Sequence, residues 1–114
     1  MTAAEQLVVE RVGVSLSELV CLVEGADDRT WRTHAACVGV DPTQFFPERG
    51  QSTRPAKGFC AACPVAAPCL AYALREHEVL GIFGGTSQGE RREIRREIRR
   101  AVAAVRAKRR SEAA

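Results

Sequence analysis

The sequence predicts a small all-α fold, a single domain of four to five helices closed by a basic C-terminal helix. Three observations predict it. Apolar residues recur at spacings of three and four over 16–23 and 94–105, the period of one helical face. Ser15/Glu18 and Ser87/Glu90 are serine–glutamate pairs three residues apart, the pattern in which each side chain satisfies a free backbone N–H at a helix start. A chain of 114 residues suits one domain whose core alone is marginal, so that a cross-link or a metal would add to it.

Taken in order, residues 1–14 carry Leu7, Val8, Val9 and Val12, compatible with a short helix or a strand. Leu16, Leu19, Val20 and Val23 then define a helix at about 15–24, ended near Gly25. Arg32 to Val38 is expected as a second short helix after the polar run Asp27–Thr30 and Trp31. Asp41-Pro42 opens a turn, and Phe45-Phe46-Pro47 forms an aromatic patch. Residues 48–57 lack an apolar period and read as a loop or a soluble helix start. Cys60 to Cys63 sits on a helical turn ended by Pro64. Pro68 opens a helix from Cys69 to about Glu78, since proline's missing N–H costs nothing in a first turn. Gly81, Gly84 and Gly85 enclose Ile82-Phe83 in a glycine-rich turn. The last helix places Ile94, Ile98, Ala101, Val102 and Val105 on one face and Arg92, Arg95, Arg96 and Arg99 on another. Glu93–Arg96 and Glu97–Arg100 pair along it for a few tenths of a kcal/mol each.

The net charge of +3 conceals an asymmetry. Residues 1–89 carry seven basic and ten acidic side chains, whereas 90–114 carry ten basic and four acidic ones. An acidic body with a basic tail points to a polyanionic partner for the tail. Fifteen of the 17 basic residues are arginine, as a GC-rich genome would favour. The N-terminus shows no basic start followed by an apolar run, and Leu7 to Val23 is interrupted by Glu10, Arg11 and Glu18. A cytoplasmic protein with no membrane partner is expected.

Five cysteines in a reducing compartment point to metal ligation or redox chemistry rather than to structural disulfides. Cys60-x2-Cys63 puts two thiols one turn apart, Cys69 follows after five residues, and Cys37 must arrive from a separate segment. Such a set ties distant parts of the chain together, so that binding energy becomes folding energy. Tetrahedral zinc and an iron–sulfur cluster both take four thiolates, and spacing alone leaves them equal. The bland reading, four cysteines packed as small apolar residues, has against it the density of three within ten residues. Cys21, flanked by Val20 and Leu22, reads as a packed thiol rather than a ligand. His34 and His77 read as surface or supporting histidines.

The ordered set Trp31-Arg32…Ala35-Ala36-Cys37, Phe45-Phe46-Pro47, Cys60-x2-Cys63-Pro64-Val65-x3-Cys69 and Gly81-Ile82-Phe83-Gly84-Gly85 resembles the WhiB-like proteins of actinobacteria and their phages, over about residues 31–100. The resemblance implies one 4Fe–4S cluster on Cys37, Cys60, Cys63 and Cys69, with a small helical fold wrapped round it. It implies a transcription regulator, not an enzyme and without a small-molecule substrate, that docks on the principal sigma factor of RNA polymerase. Clusters of that family respond to oxygen and nitric oxide. On this reading 1–30 is an N-terminal helical segment, 31–86 the cluster-binding domain and 87–114 the basic helix.

Trp31, Phe45, Phe46 and Phe83 are the candidate sigma contacts, because aromatic side chains are favoured anchors. The glycine turn of the family usually carries tryptophan where this chain has Phe83, which keeps an apolar ring but loses area and an indole donor. Arg92, Arg95, Arg96, Arg99, Arg106, Lys108, Arg109 and Arg110 are the candidate DNA contacts. The tail lacks a glycine-flanked Arg-Pro hook, so minor-groove insertion of that kind is not expected. Two rival readings remain. One is a thiol–disulfide oxidoreductase acting through Cys60-Ala61-Ala62-Cys63, which the lack of a βαβ pattern opposes. The other is a zinc-bound interaction module.

Overall fold

In the computed structural model, which describes residues 2–25, 27, 29–76 and 79–113, the regular structure is helical, and no strand forms among those residues. Helix α1 (Ala3–Val12) resolves the choice between helix and strand at the N-terminus. Thr2 and Glu5 exchange side-chain-to-backbone hydrogen bonds at 3.1 Å, a capping box at the very start of the chain, and Gly13 ends the helix in the left-handed region. Helix α2 (Leu16–Glu24) starts as expected, with the Glu18 N–H donating to the Ser15 hydroxyl at 3.2 Å.

The middle of the chain departs from expectation in its element bounds. The short helix expected over Arg32 to Val38 is a 3₁₀ turn at Thr30–His34, entered through Arg29 at φ 64 and left before Cys37. Residues 48–57 divide into a loop and the first turn of α3 (Arg54–Ala61), where Pro55 occupies a position with no N–H to satisfy. A second 3₁₀ turn, Pro42–Phe45, lies between them. Helix α4 (Ala66–Arg75) begins three residues ahead of Cys69, with Pro68 inside its first turn. It ends at Arg75, with Glu76 as its C-cap, short of the expected Glu78; residues 77 and 78, His77 among them, lie outside the described residues.

Helix α5 (Gln88–Ala113) opens on the complete Ser87/Glu90 capping box, at 3.0 and 3.2 Å. Its 26 residues span about 39 Å, against a longest molecular dimension of 55 Å. Ile94 is fully buried, and Ile98 and Ala101 pack beside it, but Val105 is 49% exposed. The apolar stripe read from 94 to 105 is therefore covered as far as Ala101 and open at Val105, because the helix runs on past the body.

One core joins Val8 of α1, Leu16 and Leu19 of α2, Leu70, Ala71 and Leu74 of α4, and Ile94 of α5. A second, smaller core holds Phe45, Ala56 and Ile82, with Phe59 and Cys60 packed against it. The space between α3, α4, the two 3₁₀ turns and the glycine turn is where the cysteines meet.

Candidate metal centre

Cys37, Cys60, Cys63 and Cys69 line a single cavity of about 400 Å³. Cys60 sits in the last turn of α3, Cys63 in the link after it, and Cys69 in the first turn of α4. Cys37 lies in the exposed turn that follows the first 3₁₀ segment. All four cysteines are free thiols. Among the described residues no three His, Cys, Asp or Glu side chains close on a point fit for one metal ion. The thiols instead stand around a space.

Backbone N–H groups point at three of the sulfurs. Ala36 donates to the Cys63 sulfur at 3.4 Å. Gly85 donates to Cys60 and Gly84 to Cys69. Burial pushes the Cys69 thiol up to about 12. The Gly84 hydrogen bond opposes that rise, and the neighbouring thiolates of Cys60, Cys63 and Cys37 add to it. The Cys60 thiol is raised for the same reasons, burial first, with Gly85 opposing. Without a cation these sulfurs hold their protons. A metal bound here would have to displace those protons.

The glycine turn earns its glycines at two positions. Gly84, at φ +55, lies so close to α4 that a Cβ there would stand 2.6 Å from Leu70 Cβ and 2.9 Å from the Ala66 carbonyl. Gly81, at φ +85, would put a Cβ 2.5 Å from the Phe45 carbonyl. The Ile82 N–H also donates to that carbonyl at 2.7 Å, which fixes the turn to the second 3₁₀ segment. Phe83 and Thr86 close the turn by exchanging backbone hydrogen bonds at 3.1 and 3.0 Å.

Aromatic rings form the walls. Trp31, Tyr72 and Phe83 make a strip with centroids 6.2 and 6.3 Å apart, and the guanidiniums of Arg32 and Arg29 lie over Tyr72 at 4.7 and 5.1 Å. The Trp31 indole donates to Asp27 at 2.9 Å, and Arg75 pairs with the same carboxylate. Burial would raise the Asp27 carboxyl, but the Arg29 N–H, the Trp31 indole and the charges of Arg75 and Arg29 together hold it below its usual value. Of the four candidate contact rings, Phe46 is 51% exposed, Trp31 and Phe83 are half-buried, and Phe45 is packed inside.

Several participants escaped the sequence reading. Tyr72 stands three residues after Cys69, and that helical spacing was the signal for a shared face. Arg11, Lys57 and Glu90 form an ion-pair junction of α1, α3 and α5 at 3.1 and 3.0 Å, and Arg11 also donates to the Gly85 carbonyl at 2.6 Å. Nothing in the local sequence marks that meeting. Cys21 needs a correction. It stays clear of the cavity but is exposed rather than packed, because Leu16 and Leu19 set the buried face of α2 and Cys21 falls on the other side. His34 is exposed, as expected.

On the basic helix, Arg92, Arg96, Arg99, Arg106, Lys108, Arg109 and Arg110 are exposed. Arg95 is half-buried and already engaged, donating to the Ala73 and Leu74 carbonyls at 2.8 and 3.3 Å. No helix among the described residues is long and apolar enough to cross a membrane.

A family model described as "Transcription factor WhiB" matches residues 31–94. Transcriptional regulator WhiB of Streptomyces coelicolor is 48% identical over 83 residues, which cover 70% of this chain and 95% of that protein. Transcriptional regulator WhiB2 of Mycobacterium tuberculosis is 50% identical over 65 residues, 57% of this chain and 73% of that one. The redox-responsive transcriptional regulator WhiB3 of Mycolicibacterium smegmatis is 40% identical over 73 residues, 58% of this chain and 76% of that one.

Proposed function

Since the chain belongs to the WhiB family of transcriptional regulators, we propose that it regulates transcription through a 4Fe–4S cluster held by Cys37, Cys60, Cys63 and Cys69. One observation carries the reading: four thiols from two distant stretches rim a single cavity of about 400 Å³, with backbone N–H groups directed at three of them. A lone tetrahedral zinc needs its sulfurs about 2.3 Å from one point. A cavity of this size suits a polynuclear centre with one thiolate per iron. Once bound, such a centre supplies redox sensitivity and a target for oxygen and nitric oxide. The protein supplies the grip. Gly84, Gly85 and Ala36 offset negative charge on sulfur, the Trp31–Tyr72–Phe83 strip limits water, and Arg32 brings a cation to the rim.

Phe46, Trp31 and Phe83 form the surface proposed to meet the principal sigma factor, with Phe45 supporting it from beneath. The exposed arginines of α5 are the surface proposed to meet DNA phosphates. The test is anaerobic purification followed by iron, sulfide and zinc analysis. About four irons and four sulfides per chain are expected. Zinc at about one per chain would favour the interaction module instead, and iron-free, colourless, natively folded protein would sink the cluster.

A further inference from the structure

Arg91 is the largest fully buried side chain among the described residues. It stands on the first turn of α5 and reaches into the glycine turn. Its Nη1 donates to the Thr86 carbonyl at 2.7 Å and to the Thr86 hydroxyl at 3.3 Å, and its Nη2 to the Val79 and Gly81 carbonyls at 3.2 and 2.9 Å. Its Nε is buried with no acceptor. The ion pairs among the described residues do not include it, and the adjacent Glu90 is committed to Arg11 and Lys57. Its guanidinium also lies over the Phe83 ring, 5.8 Å from the centroid. A buried cation held by carbonyls, a hydroxyl and a ring, with no carboxylate bound to it among the described residues, is expensive to keep.

The other side of the same turn supplies an explanation. Gly84 and Gly85 aim their N–H groups at the sulfurs of Cys69 and Cys60, while Gly81 and Thr86 aim their carbonyls at Arg91. The turn is thus a single layer of peptide groups with a cation on one face and metal-ligating sulfur on the other. Four thiolates on a 4Fe–4S core of formal charge two plus leave two net negative charges, and one-electron reduction leaves three.

We propose that Arg91 is a positioning residue and the fixed counter-charge of the anionic centre gripped by the four cysteines, so that the retention and the reduction potential of that centre depend on a charge carried by α5. The proposal rests on the cluster reading above. A fixed cation favours the more negative state, so removing it makes reduction harder.

The experiment compares anaerobically purified wild type, Arg91→Gln and Arg91→Lys by iron content, visible absorbance, mediated redox titration and the rate of cluster loss on exposure to air. Arg91→Gln is expected to shift the midpoint potential negative and to speed cluster loss severalfold, or to fail to load at all. Arg91→Lys, which keeps the charge and loses the fork, is expected to load and to return both readouts toward wild type. Fully loaded Arg91→Gln with unchanged potential overturns the proposal. So does failure of both variants to load, or an equal shift in both, either of which would make Arg91 a structural clamp whose geometry matters and whose charge does not. Wild-type protein without iron overturns the cluster reading, and this proposal with it.

Discussion

At Cys69, burial sets the terms on which a metal is accepted. Its thiol is pushed up to about 12 from an ordinary 9.0. A group raised on folding contributes stability that is complete below its unfolded value and is lost as pH climbs through the folded one. Cluster-free protein is therefore expected to lose stability progressively between pH 9.0 and about 12, a loss that Cys69→Ala reduces and that thermal unfolding followed by circular dichroism measures. Metal loading runs the other way. Each bound thiolate gives up a proton, so loading strengthens with pH and releases acid that an indicator dye can count. Gly84 sets a different kind of limit. Gly84→Ala forces a Cβ to within 2.6 Å of Leu70 at a positive φ, and a loss of at least ~2 kcal/mol is expected in urea unfolding of the loaded protein.

Between elements, arginine does much of the joining. Arg75 of α4 donates to the Leu22 and Val23 carbonyls at the end of α2, and Arg95 of α5 does the same for the end of α4. Arg95→Ala is expected to cost about 1 kcal/mol of stability, measured by denaturant unfolding. A DNA-binding test is therefore cleaner on Arg92, Arg96 and Arg99. Glu90 holds α1, α3 and α5 at one point. Burial would raise its carboxyl, but the Ser87 N–H, Lys57 and Arg11 hold it below its ordinary 4.5. The stability it contributes is present above 4.5 and fades as pH falls through the lowered value, so Glu90→Gln should flatten the acid limb of the stability profile.

The helices were legible where sequence carries a local signal. Ser15 and Ser87 start their helices where the capping pattern placed them, and the spacing of Ile94 and Ile98 described a truly buried face. The four cysteines that spacing groups together line one cavity. The junctions were not legible. Arg11 meets Gly85 across 74 positions and Arg75 meets Leu22 across 53, and no local period encodes a contact of that range. The helix expected over Arg32 to Val38 misses both ends of the turn at Thr30–His34, because a 3₁₀ segment has no repeat long enough to reveal them.

Across the whole molecule, the charge boundary at residue 90 comes before the packing boundary, which falls after residue 102. The covered half of α5 belongs to the body, while residues 103–113 are exposed throughout and carry Arg106, Lys108, Arg109 and Arg110. An isolated helix of this length is marginal on its own. Phosphate contacts would firm it as well as bind it. Replacing Arg92, Arg96 and Arg99 with Glu is expected to weaken promoter binding and to flatten its dependence on salt concentration, since each lost phosphate contact removes roughly one released counterion. An unchanged salt slope in a mobility-shift titration would remove α5 from the DNA surface.

The exposed position of Cys37 has its own consequence. Three of the sulfurs belong to one ten-residue run at the junction of two helices, whereas the fourth, the exposed Cys37, comes from a separate stretch 23 positions before Cys60. The vessel thus has three fixed walls and one latch. If the four sulfurs share a metal centre, the latch is expected to close last, and damage from outside to begin at Cys37, the one of the four that is exposed.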